Sequence, residues 1–384
     1  MNILLAAPTY LPARRANTLQ VMKMAQAVKL LGHNVSVLVP NPGGKKIPVW
    51  ETIAHHYGLH QSFEIKWIPV KSHLRSYDYG LKVIHYFSRV GADFLYTRLP
   101  QAAALASSLN IPTIYEVHDL PRGFFGPRLF QRFLKGRGAR RLVVLTQSLR
   151  DAINQRIIRL PSYPFTIIES DGVDLIRYEG IPNPVEARRT LKAGQLTRLS
   201  VSQFTAGYTG HLYPGRGIDL ILDIASRSPD INFLLVGGDP EAVYDLEGKI
   251  ENRDLKNIIL TGFVPNAELP FYQAACEVLL MPYQRNVAAS SGGDIAHFLS
   301  PMKLFEYMAC GRVILSSNLS VLKEVLNDHN SILLPPDDVH VWVNALQEIK
   351  NDPNRQISLA DHARKDSLRY SWETRAERIL TFNG

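Results

Sequence analysis

Cysteine is scarce: Cys276 and Cys310 are the two in a chain of 384 residues, each set in an apolar segment. Two isolated thiols imply no disulfide framework, and a reducing cytosol fits them. No apolar run approaches the ~20 residues that span a bilayer. The opening Met1-Asn2-Ile3-Leu4-Leu5-Ala6-Ala7-Pro8 is too short for a signal h-region and lacks a basic n-region, so it reads as a first buried strand. Low-complexity tracts are absent. With 46% hydrophobic and 20% charged residues, the composition is that of a globular chain long enough for two cores. No Gly-x-Gly-x-x-Gly follows the first strand, which disfavours a nicotinamide dehydrogenase. Histidines and acids lack metal-ligand spacing, so neither a metal centre nor a cofactor is expected.

Acidic residues are missing from one stretch in particular. Residues 121–150 hold eight cations and no acid: Arg122, Arg128, Arg132, Lys135, Arg137, Arg140, Arg141 and Arg150. Phe124, Phe125, Phe130 and Phe133 are interleaved with them. The overall charge of +8 is uneven, +12 over residues 1–185 and −4 over the rest. A basic amphipathic segment of this kind suits an anionic membrane surface, with Phe130 and Phe133 inserting shallowly beside Phe124 and Phe125. A solvated cationic face is the plainer alternative. Nucleic acid is not expected, because no recognition motif accompanies the charge.

Short apolar runs alternate with helical patterns along the whole chain, the arrangement of βαβ units and parallel sheets. A first series has strands at 2–7, 34–39, 64–68, 94–97, 113–117, 141–145 and 166–168. A second begins near residue 204. Residues 170–200, with Gly180, Pro182 and Pro184, read as the linker. The expected domains are 1–183 and 184–367, with 368–384 returning to the first. In such sheets ligands lie at the carboxyl ends of strands.

The most informative stretch is Ser300-Pro301-Met302-Lys303-Leu304-Phe305-Glu306-Tyr307-Met308-Ala309-Cys310-Gly311. Pro301 ends a loop and opens a helix, and Gly311 stops it in the left-handed conformation. The helix start offers free N–H groups to an anion, Lys303 adds a cation, and Glu306, three residues on, suits a diol. Phosphate donors, a cation and a diol acceptor on one helix end together describe a nucleoside diphosphate. An amphipathic helix with a solvated Lys–Glu pair fits the bare pattern equally. Upstream, Gly207-Tyr208-Thr209-Gly210-His211-Leu212-Tyr213-Pro214-Gly215-Arg216-Gly217 leaves a strand and enters a helix. Its glycines permit close approach to a phosphate, and Arg216 can fork onto the oxygens. A tight turn with a solvated arginine is the alternative.

With the strand 312–317 that follows, this block resembles retaining glycosyltransferases of family 4, the glycosyl transferases of group 1, and the likeness extends more weakly over nearly the whole chain. The resemblance implies a GT-B fold: α/β, two Rossmann-like doubly wound domains facing across a cleft, the C-terminal helix returning to the N-terminal domain. It implies a UDP-, GDP- or ADP-sugar donor, with transfer to a saccharide or lipid-linked acceptor under retention of configuration. Together with the scarce cysteine and the basic segment, the expectation is a cytoplasmic enzyme, peripheral on the inner face of the plasma membrane, in cell-envelope polysaccharide synthesis. Arg216 and Lys303 then stabilise the departing diphosphate, Glu306 holds the ribose, and Ser300, Pro301, Met302 and Leu304 line the donor. Gly210 and His211 stand at the phosphate turn, His211 where the family has arginine. Phe263 and Val264 lie near the nucleobase. The family's earlier glutamate falls on Phe298. Asp294, in Ser290-Ser291-Gly292-Gly293-Asp294, is the nearest acid, and a backbone nest in that run is the expected substitute.

In the first domain Ile114-Tyr115-Glu116-Val117-His118-Asp119 runs a strand into a His–Asp step. The resemblance places His118 near the reacting sugar, with Asp119 beside it to orient a hydroxyl. Arg14, Arg15, Asn17 and Arg98 are the further acceptor-side candidates. Asn17 is equally read as an N-cap, and Arg98 as a structural ion-pair partner. Two other functions stay open: a nucleotide-sugar epimerase of the same fold, and a non-catalytic transferase-like binding protein.

Overall fold

Runs such as Ile3-Leu4-Leu5-Ala6 and Phe233-Leu234-Leu235-Val236 are buried along their whole length. Strands apolar on both faces belong in parallel sheets covered by helices on either side. The computed structural model describes residues 1–41, 43, 46–71, 75–194, 196–288 and 293–382. The chain forms β1 (Asn2–Ala6), α1 (Ala16–Leu30), β2 (Asn34–Asn41), α2 (Trp50–Tyr57), β3 (Glu64–Pro69), α3 (Arg75–Val90), β4 (Phe94–Thr97), α4 (Pro100–Ser108), β5 (Thr113–Val117), α5 (Gly126–Lys135), β6 (Ala139–Val144), α6 (Gln147–Arg156) and β7 (Phe165–Ile168). It continues through α7 (Pro184–Gly194), β8 (Thr205–Thr209), α8 (Ile218–Arg227), β9 (Asn232–Val236), α9 (Pro240–Asn252), β10 (Ile258–Leu260), α10 (Leu269–Ala274) and β11 (Val278–Met281). It closes with α11 (Met302–Cys310), β12 (Val313–Ser317), β13 (Ile332–Leu334), α12 (Val339–Lys350), α13 (Pro353–Ser367) and α14 (Trp372–Leu380).

Two units result: Met1–Asp171 with Trp372–Gly384, and Gly172–Ser371. The first holds a seven-stranded parallel sheet in the order β3-β2-β1-β4-β5-β6-β7, the second a six-stranded one in the order β10-β9-β8-β11-β12-β13. Strand order reverses beside β1 in the first and beside β8 in the second, and those reversals leave a crevice at the strand ends. The chain divides earlier than the expected 183/184 boundary. Residues 170–200 are not a bare linker, because they carry a 3₁₀ turn (Leu175–Tyr178) and α7. Tyr178, Ala187 and Leu191 are buried in the core of the second sheet. Pro184 opens α7 rather than breaking the chain, and Asn183 accepts the Glu186 N–H at 3.0 Å as its cap.

The basic segment 121–150 divides by helical periodicity. Phe130 and Phe133 on α5 are fully buried, with Phe133 edge-on to Tyr115 at 5.1 Å between ring centroids. They are core residues and insert into no membrane. Phe124 and Phe125, just before α5, are 68% and 59% exposed. Arg141 also leaves the surface. It is buried and donates to the carbonyls of Arg378 (2.8 Å), Ile379 (2.5 Å) and Thr381 (2.9 Å). The first two are among the last carbonyls of α14, which lack helical partners and carry the negative end of its dipole, and Thr381 follows directly after it. Phe382 stacks on Phe94 at 4.9 Å. The C-terminal helix is thereby tied to the first sheet.

Candidate active site

In the second unit the turns after β8 and β9 touch. A Cβ on Gly237 would meet the Gly210 carbonyl oxygen at 2.2 Å, and one on Gly210 would meet Lys303 Nζ at 2.8 Å. Gly210 (φ 137) and Gly237 (φ 122) hold left-handed backbone as well, so both positions require glycine. Lys303 sits in the first turn of α11, which begins after Pro301 and ends at Gly311 with φ 62 and ψ 50, as its sequence predicts. Its Nζ is buried, makes no hydrogen bond among the described residues, and lies 3.8 Å from the Tyr208 ring centroid and 5.5 Å from that of Tyr283. Burial, and then the charge of Arg216, push its pKa well below the ordinary lysine value. Arg216 lies over the Tyr283 ring at 5.1 Å, with one weak bond to the Ala288 carbonyl at 3.4 Å. The structure thus places two cations and an open glycine turn at the switch point of this sheet, with no carboxylate among the described residues paired to either cation.

Glu306 is buried one turn further along α11, where Gln273 Nε2 donates to it at 3.3 Å. Gln273 is itself fixed by the Tyr178 hydroxyl at 2.8 Å and by Thr209 Oγ1 at 3.2 Å. The remaining acceptor capacity of the carboxylate suits a pair of hydroxyls. His211 stacks on Tyr213 at 4.6 Å with its ring plane only 3° off parallel. Burial lowers its pKa, so it stands neutral near pH 7 as a hydrogen-bonding group.

Other expectations need correction. Leu304 is a core residue, and its N–H closes on the Pro301 carbonyl at 2.9 Å. Of the expected 301–304 amides, those of Met302 and Lys303 are left for an anion, since Pro301 has none. Ser300 is half-buried ahead of them. Phe263 and Val264 follow β10, half-buried, with Val264 packed on the core. Asp294, the nearest acid, staples its own loop: its Oδ1 accepts the Val287 and Ala296 N–H groups at 2.8 and 2.9 Å. Phe298 is buried. Residues 290–292 of the expected nest lie outside the described residues.

In the first unit β5 carries Glu116, its one charged residue, buried like the rest of the strand. His118, at the carboxyl end of β5, pairs with Glu116 through Nε2. It does not pair with Asp119, which salt-bridges Arg122 at 2.8 Å and accepts the Leu120 N–H at 2.7 Å. Gln20 Nε2 reaches Glu116 Oε1 at 2.7 Å, Arg375 Nη2 reaches it at 3.0 Å, and the Tyr96 hydroxyl donates to Oε2. Burial alone would raise the Glu116 pKa. Arg375, His118 and Arg98 outweigh it and hold the carboxyl well below its usual range. Burial, followed by the Arg98 charge, lowers the pKa of His118. Arg98 donates to the Asn17 carbonyl (3.2 Å) and to Gln20 Oε1 (2.9 Å), not to a carboxylate. Asn17 is not the N-cap of α1: Arg15 takes that position without a side-chain bond, because the helix begins at Ala16. Arg14 and Arg15 are exposed ahead of α1. His118, Asp119, Arg98 and Glu116 line one cavity of about 500 Å³. Of the network, Glu116 was visible in the sequence as the one acid within its strand. Gln20, Tyr96 and Arg375 had no local signal.

An α/β chain with two parallel sheets, each carrying a polar cluster beyond its strand ends, has the GT-B architecture. Anabaena HepE, solved in complex with UDP, shares the fold with a TM-score of 0.74 over 99% of this chain and 98% of that one, at 17% identity. Residues 19–175 match the family described as Glycosyltransferase Family 4, and residues 197–366 match Glycosyl transferases group 1. The chain belongs to glycosyltransferase family 4. It is 25% identical to a D-inositol 3-phosphate glycosyltransferase of Corynebacterium urealyticum over 56% of this chain and 49% of that protein. It is 22% identical to a phosphatidyl-myo-inositol mannosyltransferase of Mycolicibacterium smegmatis over 94% of this chain and 87% of that protein. The chain spans about half the length of the first curated relatives it matches, 49% and 46% for two of them.

Proposed function

We propose that the protein transfers a sugar from a nucleotide-sugar donor to a lipid-linked or glycan acceptor with retention of configuration. The observation that carries this is Lys303: a buried ammonium with no hydrogen-bond partner among the described residues, beside Arg216 and an open glycine turn. An unpaired charge in such a place is unfavourable until an anion arrives. A diphosphate is the anion that also suits the diol acceptor Glu306 on the same helix. That HepE is solved with UDP-glucose supports the nucleotide-sugar reading.

In the retaining mechanism that family membership implies, the departing diphosphate helps take the acceptor proton and attack comes from the same face. The demand on the protein is then charge stabilisation at the phosphate, which Arg216, Lys303 and the free amides of α11 meet. His118 is the candidate to hold a sugar or acceptor hydroxyl.

An anionic membrane surface is proposed as the working location. The support is the outer face of α5, where a cavity of about 780 Å³ is lined by Arg128, Arg132, Lys135 and Arg137, next to the exposed Phe124 and Phe125. No helix among the described residues is long and apolar enough to cross a membrane.

A thermal-shift screen with UDP, GDP and ADP tests the donor site, since a ligand that binds the native state raises apparent stability by mass action. A rise of several degrees with one of them is expected. No rise with any would overturn the assignment.

A further inference from the structure

We propose that Arg375, acting through Glu116, is a positioning residue that holds His118 in its Nε2–H form and so leaves Nδ1 as a hydrogen-bond acceptor at the cavity. The proposal rests on the reading of that cavity as part of a transferase site, and it is tested on the free protein.

Gln20 and His118 hydrogen-bond Glu116 Oε1, Arg375 Nη2 forms an ion pair with the same oxygen at 3.0 Å, and the Tyr96 hydroxyl donates to Oε2. A carboxylate held by this many donors is stable as the anion. An ionised carboxylate has no hydrogen to give, so the hydrogen between it and His118 belongs to Nε2. The neutral ring then has its lone pair on Nδ1. A group at this position accepts a hydroxyl hydrogen and cannot donate one.

Arg375 makes the anion permanent. Nε donates to the Ser170 carbonyl (2.7 Å), Nη1 meets Met24 Sδ (3.4 Å) and the Tyr96 hydroxyl oxygen (3.3 Å), and Nη2 reaches the Glu169 carbonyl (3.4 Å) and Glu116. Four hydrogen bonds and the ion pair of Nη2 with Glu116 hold the guanidinium, so the fork has one orientation. Tyr96 has a single hydroxyl hydrogen, which goes to Glu116, so toward Arg375 it accepts. The charged and titratable groups facing His118 are Glu116 on β5, Arg98 after β4, Arg375 on α14, Tyr96 on β4 and Asp119 in its own loop. Asp171 lies near Glu116, Arg98 and Arg375. The cations discourage a second proton on the ring, while Glu116 orients the first. The last helix of the chain is thus wired to a residue more than 250 positions earlier in the sequence.

The experiment is a long-range ¹H–¹⁵N correlation of the histidine rings in the full chain, with the His118 signals located by difference against His118→Asn. The expected wild-type ring is neutral with hydrogen on Nε2, and still neutral at about pH 5.5, where an unperturbed imidazole is mostly charged. In Arg375→Gln the His118 midpoint should rise by about one pH unit or more, because a cation is lost beside a retained carboxylate. Arg375→Lys should bring it most of the way back. A wild-type ring with hydrogen on Nδ1, or one titrating near 6.5, overturns the proposal. So does an Arg375→Gln protein that melts earlier with an unchanged His118 spectrum, since that is a purely structural role. If Arg375→Gln does not fold, the wild-type spectrum decides, supplemented by Tyr96→Phe, in which faster tautomer exchange is expected and an unchanged ring counts against the network. Failure of UDP, GDP and ADP to stabilise the protein would refute the transferase reading and leave these ring assignments untouched.

Discussion

At the scale of single residues, the role proposed for Lys303 sets stability against function. Replacing it with methionine keeps the volume and removes a buried, unpaired cation. The ligand-free protein should therefore melt at the same temperature or higher, while affinity for UDP or its equivalent falls roughly 10- to 100-fold, the loss of one charge-assisted contact. Calorimetric binding beside a melting curve reads both. The pH dependence follows from the same burial. An unfolded lysine keeps its proton up to about pH 10.4. The folded-state pKa is lower, so between the two values the unfolded chain binds more protons and stability rises with pH. The rise is at most ~1.4 kcal/mol per pH unit for one group. Ligand-free wild type should gain stability relative to Lys303→Met as the pH rises from its folded-state pKa toward about 10.4, and a bound diphosphate should remove the difference. Arg216→Ala and Lys303→Ala should each lower turnover by about two to three orders of magnitude, as removal of one oxyanion contact does. Glu306→Ala should weaken nucleotide binding about 10- to 100-fold and leave inorganic pyrophosphate binding nearly unchanged, because the carboxylate is assigned to the ribose. Equal losses for both ligands would move Glu306 out of the ribose site.

At the scale of elements, α14 does two jobs through two arginines. Arg141 neutralises its carboxyl end from outside, and Arg375 from within it balances Glu116. Removing residues 372–384 would leave Glu116 as a buried charge without its cation, a loss of about 3–5 kcal/mol. Urea melts of the truncated chain should show the first unit destabilised by that order, with the second unit's transition in place. A single unshifted transition would refute the coupling. On α5, the same helical period that sends Phe130 and Phe133 into the core sends Arg128, Arg132 and Lys135 outward. The interleaving of aromatics and cations, legible in the sequence, did not reveal that only Phe124 and Phe125 remain outside.

At the scale of the whole molecule, the charge is divided between halves, +12 in residues 1–185 against −4 in the remainder. On the proposed membrane location, a surface field of this sign would draw the basic face toward anionic lipid, each exposed Lys or Arg contributing about 1 kcal/mol near the membrane. Co-sedimentation should be strong with vesicles containing phosphatidylserine and weak with phosphatidylcholine alone. It should fall between about 0.05 and 0.5 M salt, as screening shortens the Debye length. Phe124→Ser with Phe125→Ser should reduce binding without lowering the melting temperature, because both side chains are exposed. Equal binding to both vesicle types, or none to either, would leave the face merely solvated and point to a soluble saccharide acceptor.

The sequence by itself determined the alternation of strands and helices, the two parallel sheets, and the helix at 302–310 with its Pro start and Gly stop. These depend on apolar period and on backbone stereochemistry, which are local. It also brought Arg216, Lys303 and Glu306 forward as candidates for a donor site, because they stand within a few residues of the turns that present them. Tertiary structure decided which polar groups meet. Glu116, not Asp119, holds His118, and Arg375 reaches Glu116 from the far end of the chain. Asp294 is consumed by its own loop, and Leu304 turns into the core. Pairing of buried charges is set by which sheet faces and helices enclose a common volume, and no pattern of neighbours along the chain records that.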